Sequence, residues 1–244
     1  MTVEQKNNPK IITACDFADI STAISLAEKL SPEKTRLKIG KAMFVRYGIH
    51  IVEELQKLGY EIFLDLKFHD IPNTVAEAVS AAADLGIWLL TVHSSGGAKM
   101  LAAAADTAAK KQNPPLIAAV TVLTSLSGEE LISVGITDSL QNQALRLAKL
   151  AYNNGCNAVI CSGLEVAAIK QATDRDFLCI TPGIRPAGAD KNDQIRIATP
   201  ASAIANGSDY LVIGRPIIQA EDPAAALDAI YAEINASNTP APQN

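Results

Sequence analysis

Directly after the apolar run that ends at Leu64, the stretch DLKFHDIPNT (65–74) places an aspartate, a lysine and a second aspartate at positions 65, 67 and 70. Burying an unpaired ion costs on the order of several kcal/mol, so such a cluster persists only where its members satisfy one another. Asp65, Lys67 and Asp70 are therefore either an ion network that ties down a loop or a reaction centre built on a held charge. The local spacing leaves both readings open. Two further stretches, GIR (183–185) and VIGRP (212–216), join glycines to Arg185 and Arg215. Glycine lets a backbone N–H approach a phosphate oxygen closely, and arginine presents a forked, permanent charge. A phosphorylated ligand suits them, although glycines end many strands for no such reason.

Elements must exist to bring these groups together. Eight β-rich runs recur along the chain: 11–15, 36–40, 61–67, 88–93, 116–123, 157–163, 177–183 and 210–215. Their centres do not simply alternate polar and apolar, as expected for parallel strands covered on both faces. Between them lie amphipathic or alanine-rich stretches such as ISTAISLAEKL and VAEAVSAAADLG, with apolar residues three and four apart. Eightfold alternation of strand and helix predicts a single (β/α)8 TIM barrel over 1–238, with 239–244 a disordered tail. The long connection 125–138 after the fifth strand is expected to form a mobile loop over the site.

A barrel of this kind builds its site at the C-terminal ends of its strands. There the sequence puts Asp16, Lys38, Asp65, Lys67, His93, Thr124, Arg185, Gly214 and Arg215. Residues two apart on a strand share a face, so Asp65 and Lys67 enter the mouth while Leu64 and Leu66 pack outward. Asp70 lies beyond the strand, just before Pro72 opens the next helix, and need not point the same way.

Composition narrows the function. A net charge of −5 argues against nucleic acid or an anionic membrane as partner. The polar start MTVEQKNNPK lacks the apolar core of a signal peptide, and no apolar run is long enough to span a bilayer. Cys15, Cys156, Cys161 and Cys179 show no CxxC spacing and read as buried free thiols in a reducing cytoplasm. His50, His69 and His93 have no metal-ligand spacing, so no metal or cofactor is expected. His69 reads as a loop hydrogen-bonder and His93 as a support to the site.

DLKFHDIPNT, in order with TACDFAD, LKIG, VTVLTS, TPGIRP and VIGRPI, resembles the orotidine 5′-phosphate decarboxylase family from the first strand to the eighth. The resemblance implies decarboxylation of orotidine 5′-phosphate (OMP) to UMP and CO2 in pyrimidine biosynthesis, without a cofactor. Lys67 would be the proton donor, flanked by Asp65 and by Asp70 from a partner subunit, with Lys38 completing an alternating charge array. Asp16 and Lys38 would hold ribose hydroxyls, and Asp70 and Thr74 would cross a homodimer interface. Thr124 would read the pyrimidine edge, Gln194 would bridge base and phosphate, and Arg185, Gly214 and Arg215 would bind the phosphate region.

Loss of CO2 from C6 leaves an in-plane carbanion that the ring carbonyls do not delocalise. A preorganised ammonium beside C6 answers that need. The nearest rival is a magnesium-dependent sugar-phosphate decarboxylase or aldolase of the same barrel group, which shares the Asp-x-Lys-x-x-Asp core. A non-catalytic sensor of nucleotide phosphates is a third reading, disfavoured by the intact Lys67 array.

Overall fold

The structure is a computed structural model that describes residues 8–186 and 198–237; the tail expected at 239–244 lies outside them. Eight parallel strands close into a barrel in sequence order. They are β1 (Ile11–Ala14), β2 (Thr35–Gly40), β3 (Ile62–Phe68), β4 (Leu89–His93), β5 (Leu116–Val120), β6 (Ala158–Ile160), β7 (Leu178–Thr181) and β8 (Tyr210–Ile213). β8 pairs with β1 through Ile11–Leu211 and its two successors, which closes the ring. Helices separate successive strands, as the alternating pattern predicts.

Two-residue alternation divides the strand side chains between two cores. Ile11, Leu37, Ile39, Leu64, Leu90 and Val92 face outward and pack under the helices, joined by the half-buried Leu66. Ile12, Ala14, Phe63, Leu89, Ala118, Ile180, Tyr210 and Val212 fill the barrel interior. On β2 the same alternation turns Arg36 and Lys38 inward. Arg36 closes the N-terminal end of the barrel: its Cζ lies 4.0 Å from the Trp88 ring centroid and 5.3 Å from that of Tyr210. Its Nε donates to Glu61 Oε2 at 2.9 Å and its Nη1 to the Pro9 carbonyl at 2.7 Å. A buried guanidinium is tolerable there because an aromatic pair and two acceptors replace water.

The connections leaving the strands shape the chemistry-bearing end. β3 runs into the helix Pro72–Ala83, whose proline sits in the first turn, where its missing N–H costs nothing. Gly155, at φ 80°, turns the chain after the helix Leu140–Asn153 in a left-handed conformation that suits glycine.

Residues 125–138 are not a bare loop. They contain the helix Gly128–Ser133, started by a capping box between Ser127 and Glu130. Leu131 on it packs with Val122, Ala144 and Leu147 in a small core of its own. Among the described residues, no helix is long and apolar enough to cross a membrane.

Candidate active site

Three ion pairs run across the mouth of the barrel from β1 to β3. Lys67 Nζ lies 2.7 Å from Asp65 Oδ1. Lys38 Nζ lies 3.6 Å from Asp65 Oδ2 and 3.5 Å from Asp16 Oδ1. The series Asp16, Lys38, Asp65, Lys67 thus alternates in sign, and each carboxylate or ammonium offsets the burial cost of the next. Burial pushes the Asp65 carboxyl up, but Lys38 and then Lys67 pull it down by more, so it is held below the usual carboxylate range.

The local backbone behind this array is irregular. Leu64 pairs with Leu90 and Phe68 with Val92, so three residues of β3, 65–67, stand opposite Thr91 alone. Lys67 takes φ 53°, the one non-glycine residue with positive φ among those described. Such left-handed backbone in an ordinary residue marks a strained site. A regular strand was expected to set Asp65 and Lys67 on one face; a bulge does so instead. Thr91 Oγ1 accepts the Lys67 N–H at 2.9 Å and contacts Asp65 Oδ1 at 3.0 Å.

Lys38, Asp65, Lys67 and Thr124 line one cavity of about 150 Å³. Phe63, Val120, Ile160, Pro182 and Val212 form its apolar wall. Charged groups at one side of a largely apolar hollow form an environment in which electrostatics is little screened.

The other expected residues that the structure describes follow β3, β7 and β8. Gly214 and Arg215 come directly after β8, and Arg185 is buried beyond β7, with Nη1 donating to its own Ile184 carbonyl at 2.8 Å. Gln194 lies outside the described residues. Asp70 and Thr74 are exposed, and Asp70 Oδ1 accepts the Ile71 N–H at 2.6 Å, apart from the array. Ile71 beside them is 66% exposed.

His93 faces this end of the barrel, its ring centroid 5.6 Å from that of His69. Burial first, then His69 and Lys67, bring its pKa down to about 4, so the ring is neutral at ordinary pH. His69 therefore has a ring partner beyond its loop. All four cysteines are free and buried, and burial pushes the Cys15 thiol up to about 12, which leaves it no nucleophilic role beside Asp16.

Sequence reasoning passed over two residues. One is Thr91, a polar inward position in an otherwise apolar strand. The other is Gly40, noticed only as part of LKIG: a Cβ there would fall 2.9 Å from Asp16 Oδ1 and 3.3 Å from Lys38 Nζ.

The chain is similar to known proteins over most of its length. The profile of the orotidine 5′-phosphate decarboxylase / HUMPS family matches residues 9–230. The orotidine 5′-phosphate decarboxylase of Teredinibacter turnerae is 52% identical over 226 residues, 93% of this chain and 97% of that protein. That of Vibrio cholerae (strain O395) is 50% identical over 232 residues, 95% of this chain and 99% of that protein. The crystal structure of orotidine 5′-phosphate decarboxylase from Lactobacillus acidophilus superposes with a TM-score of 0.83 at 39% identity, covering 93% of this chain and all (100%) of that one.

Proposed function

This chain belongs to the orotidine 5′-phosphate decarboxylase / HUMPS family, and from that premise we propose that it converts OMP to UMP and CO2. The observation that carries the reading is the ammonium of Lys67, held 2.7 Å from Asp65 at the edge of an apolar hollow. In the reaction the bond from C6 to the carboxylate breaks, CO2 departs and its electron pair stays on C6. The Lys67 ammonium stabilises that developing charge and then gives C6 its proton. Solvent returns a proton to the lysine. Because Asp65 and Lys38 already fix the charges, little reorganisation is required as the barrier is crossed.

The other groups bind and orient. Asp16 and Lys38 take ribose hydroxyls, and Thr124 reads the pyrimidine edge. Gln194 bridges base and phosphate, while Arg185, Gly214 and Arg215 hold the phosphate region. Binding energy collected at the phosphate keeps C6 against Lys67.

Asp70 and Thr74 serve the site of a second subunit in a homodimer. Their exposure next to Ile71 supports this, since an aspartate and an isoleucine at an open rim suit a mixed polar and apolar interface. The four buried free thiols fit a reducing cytoplasm.

The test is the loss of OMP absorbance, measured with and without EDTA. Turnover that survives EDTA is expected. Activity lost to EDTA, restored by magnesium and directed at a sugar phosphate would replace this reading with the sugar-phosphate one.

A further inference from the structure

We propose that Thr91 is a positioning residue for the Lys67–Asp65 pair, its one hydroxyl fixing both the backbone of the lysine and the carboxylate of the aspartate. The kinetic consequence rests on the decarboxylase reading; the geometric claim does not. Thr91 is fully buried in β4, and it alone stands opposite the three bulged residues of β3. A bulge interrupts the ladder, so the Lys67 N–H has no strand carbonyl to meet. Thr91 Oγ1 accepts it instead, at 2.9 Å.

A hydroxyl carries one proton and two lone pairs. With a lone pair committed to Lys67 N–H, the proton is left for Asp65 Oδ1 at 3.0 Å. That same oxygen accepts from Lys67 Nζ at 2.7 Å. A closed circuit results: Thr91 holds the lysine main chain, Asp65 holds its ammonium, and Thr91 holds Asp65. Lys67 sits at φ 53°, which ordinary residues seldom adopt, so something must over-determine it. Serine would preserve the circuit, whereas valine, equal in shape, would remove both bonds and leave the methyl packing intact.

The experiment compares Thr91→Val with Thr91→Ser in the full-length protein. For Thr91→Val we expect kcat to fall on the order of 10- to 100-fold, the effect of a small misplacement of a reacting group. UMP affinity should change little. The acid limb of the pH–rate profile should move upward, because Asp65 loses a donor to its ionised form. By NMR, the Lys67 amide should exchange faster with solvent. Thr91→Ser should keep kcat, the acid limb and the Lys67 exchange rate close to those of the wild type. Should Thr91→Val fail to fold, Thr91→Cys takes its place, similar in size and poor in hydrogen bonding. Wild-type kcat with unchanged Lys67 exchange in the valine protein would overturn the proposal. So would an impaired serine protein beside a valine protein that behaves as the wild type, since the methyl would then matter and the hydroxyl would not. If the wild type itself leaves OMP untouched, the decarboxylase reading fails, and the amide exchange and the Asp65 titration still decide the role of Thr91.

Discussion

Gly40 leaves open the space that Asp16 and Lys38 share. A Cβ at position 40 would lie 2.9 Å from Asp16 Oδ1 and 3.3 Å from Lys38 Nζ, inside ordinary contact. The backbone at Gly40 is extended, with φ −87°, so alanine is not strained there; only the space is lacking. Asp16, whose side chain is 60% exposed, is the group free to give way. Gly40→Ala should therefore weaken nucleotide binding by about two- to tenfold, the worth of one ordinary hydrogen bond, with a smaller effect on kcat. Titration with UMP checks it, and unchanged affinity would show that Asp16 tolerates the methyl.

Lys67→Ala should lower turnover by at least about 10²–10³, the cost of removing one preorganised charge at the reacting atom. UMP binding should survive, because the proposed phosphate and ribose contacts are made by other residues. Turnover of OMP and UMP affinity, measured side by side, separate the two effects. A protein that keeps near-normal turnover would strip Lys67 of its role as proton donor.

Arg215→Ala should reduce kcat/KM on the order of 10- to 100-fold, as expected for loss of a charge-assisted bond to phosphate. Uridine, which has no phosphate, should bind both proteins alike. Equal weakening of uridine and UMP would contradict the phosphate assignment.

His93 makes a prediction about stability. Its folded pKa, about 4, lies below the ordinary 6.5, mainly through burial. Above pH 6.5 the ring is neutral in both states and costs nothing. As pH falls from 6.5 to 4, the unfolded chain takes a proton that the folded one refuses, so stability is lost across that window. His93→Asn should flatten the pH dependence of urea unfolding between those values, by up to about one proton in slope. An unchanged slope would mean that other groups carry the acid sensitivity.

The barrel was legible because parallel strands buried on both faces are apolar throughout, and runs such as LIAAVTVL show it directly. The order Asp16, Lys38, Asp65, Lys67 was legible too, since each residue lies at or near a strand end. The bulge in β3 was not. Strict alternation already places Asp65 and Lys67 on one face, so nothing in DLK signals that Lys67 turns to φ 53°. Its cause lies on another strand, in a threonine that reads as an ordinary β-branched residue. The helix Gly128–Ser133 was missed for a different reason: the S-x-x-E pattern of Ser127 and Glu130 was present, but the segment is short and weakly periodic.

Asp70 offers the sharpest test of assembly. Within its own chain it is exposed and bonds the backbone of its own loop, while Lys67 pairs with Asp65. If Asp70 completes the partner subunit's site, each site of a two-fold dimer combines one chain's Lys67 with the other chain's Asp70. Lys67→Ala and Asp70→Ala proteins should each be nearly inactive alone. Unfolded, mixed equally and refolded together, they should pair at random, making about half the dimers mixed. In a mixed dimer one site carries both lesions and the other carries neither. Roughly a quarter of wild-type activity should therefore return, since half the dimers regain one of their two sites. Differently tagged subunits verify that mixed dimers form. Should they form and stay inactive, Asp70 acts within its own chain, and its exposed position beside Ile71 must be explained by loop movement toward Lys67.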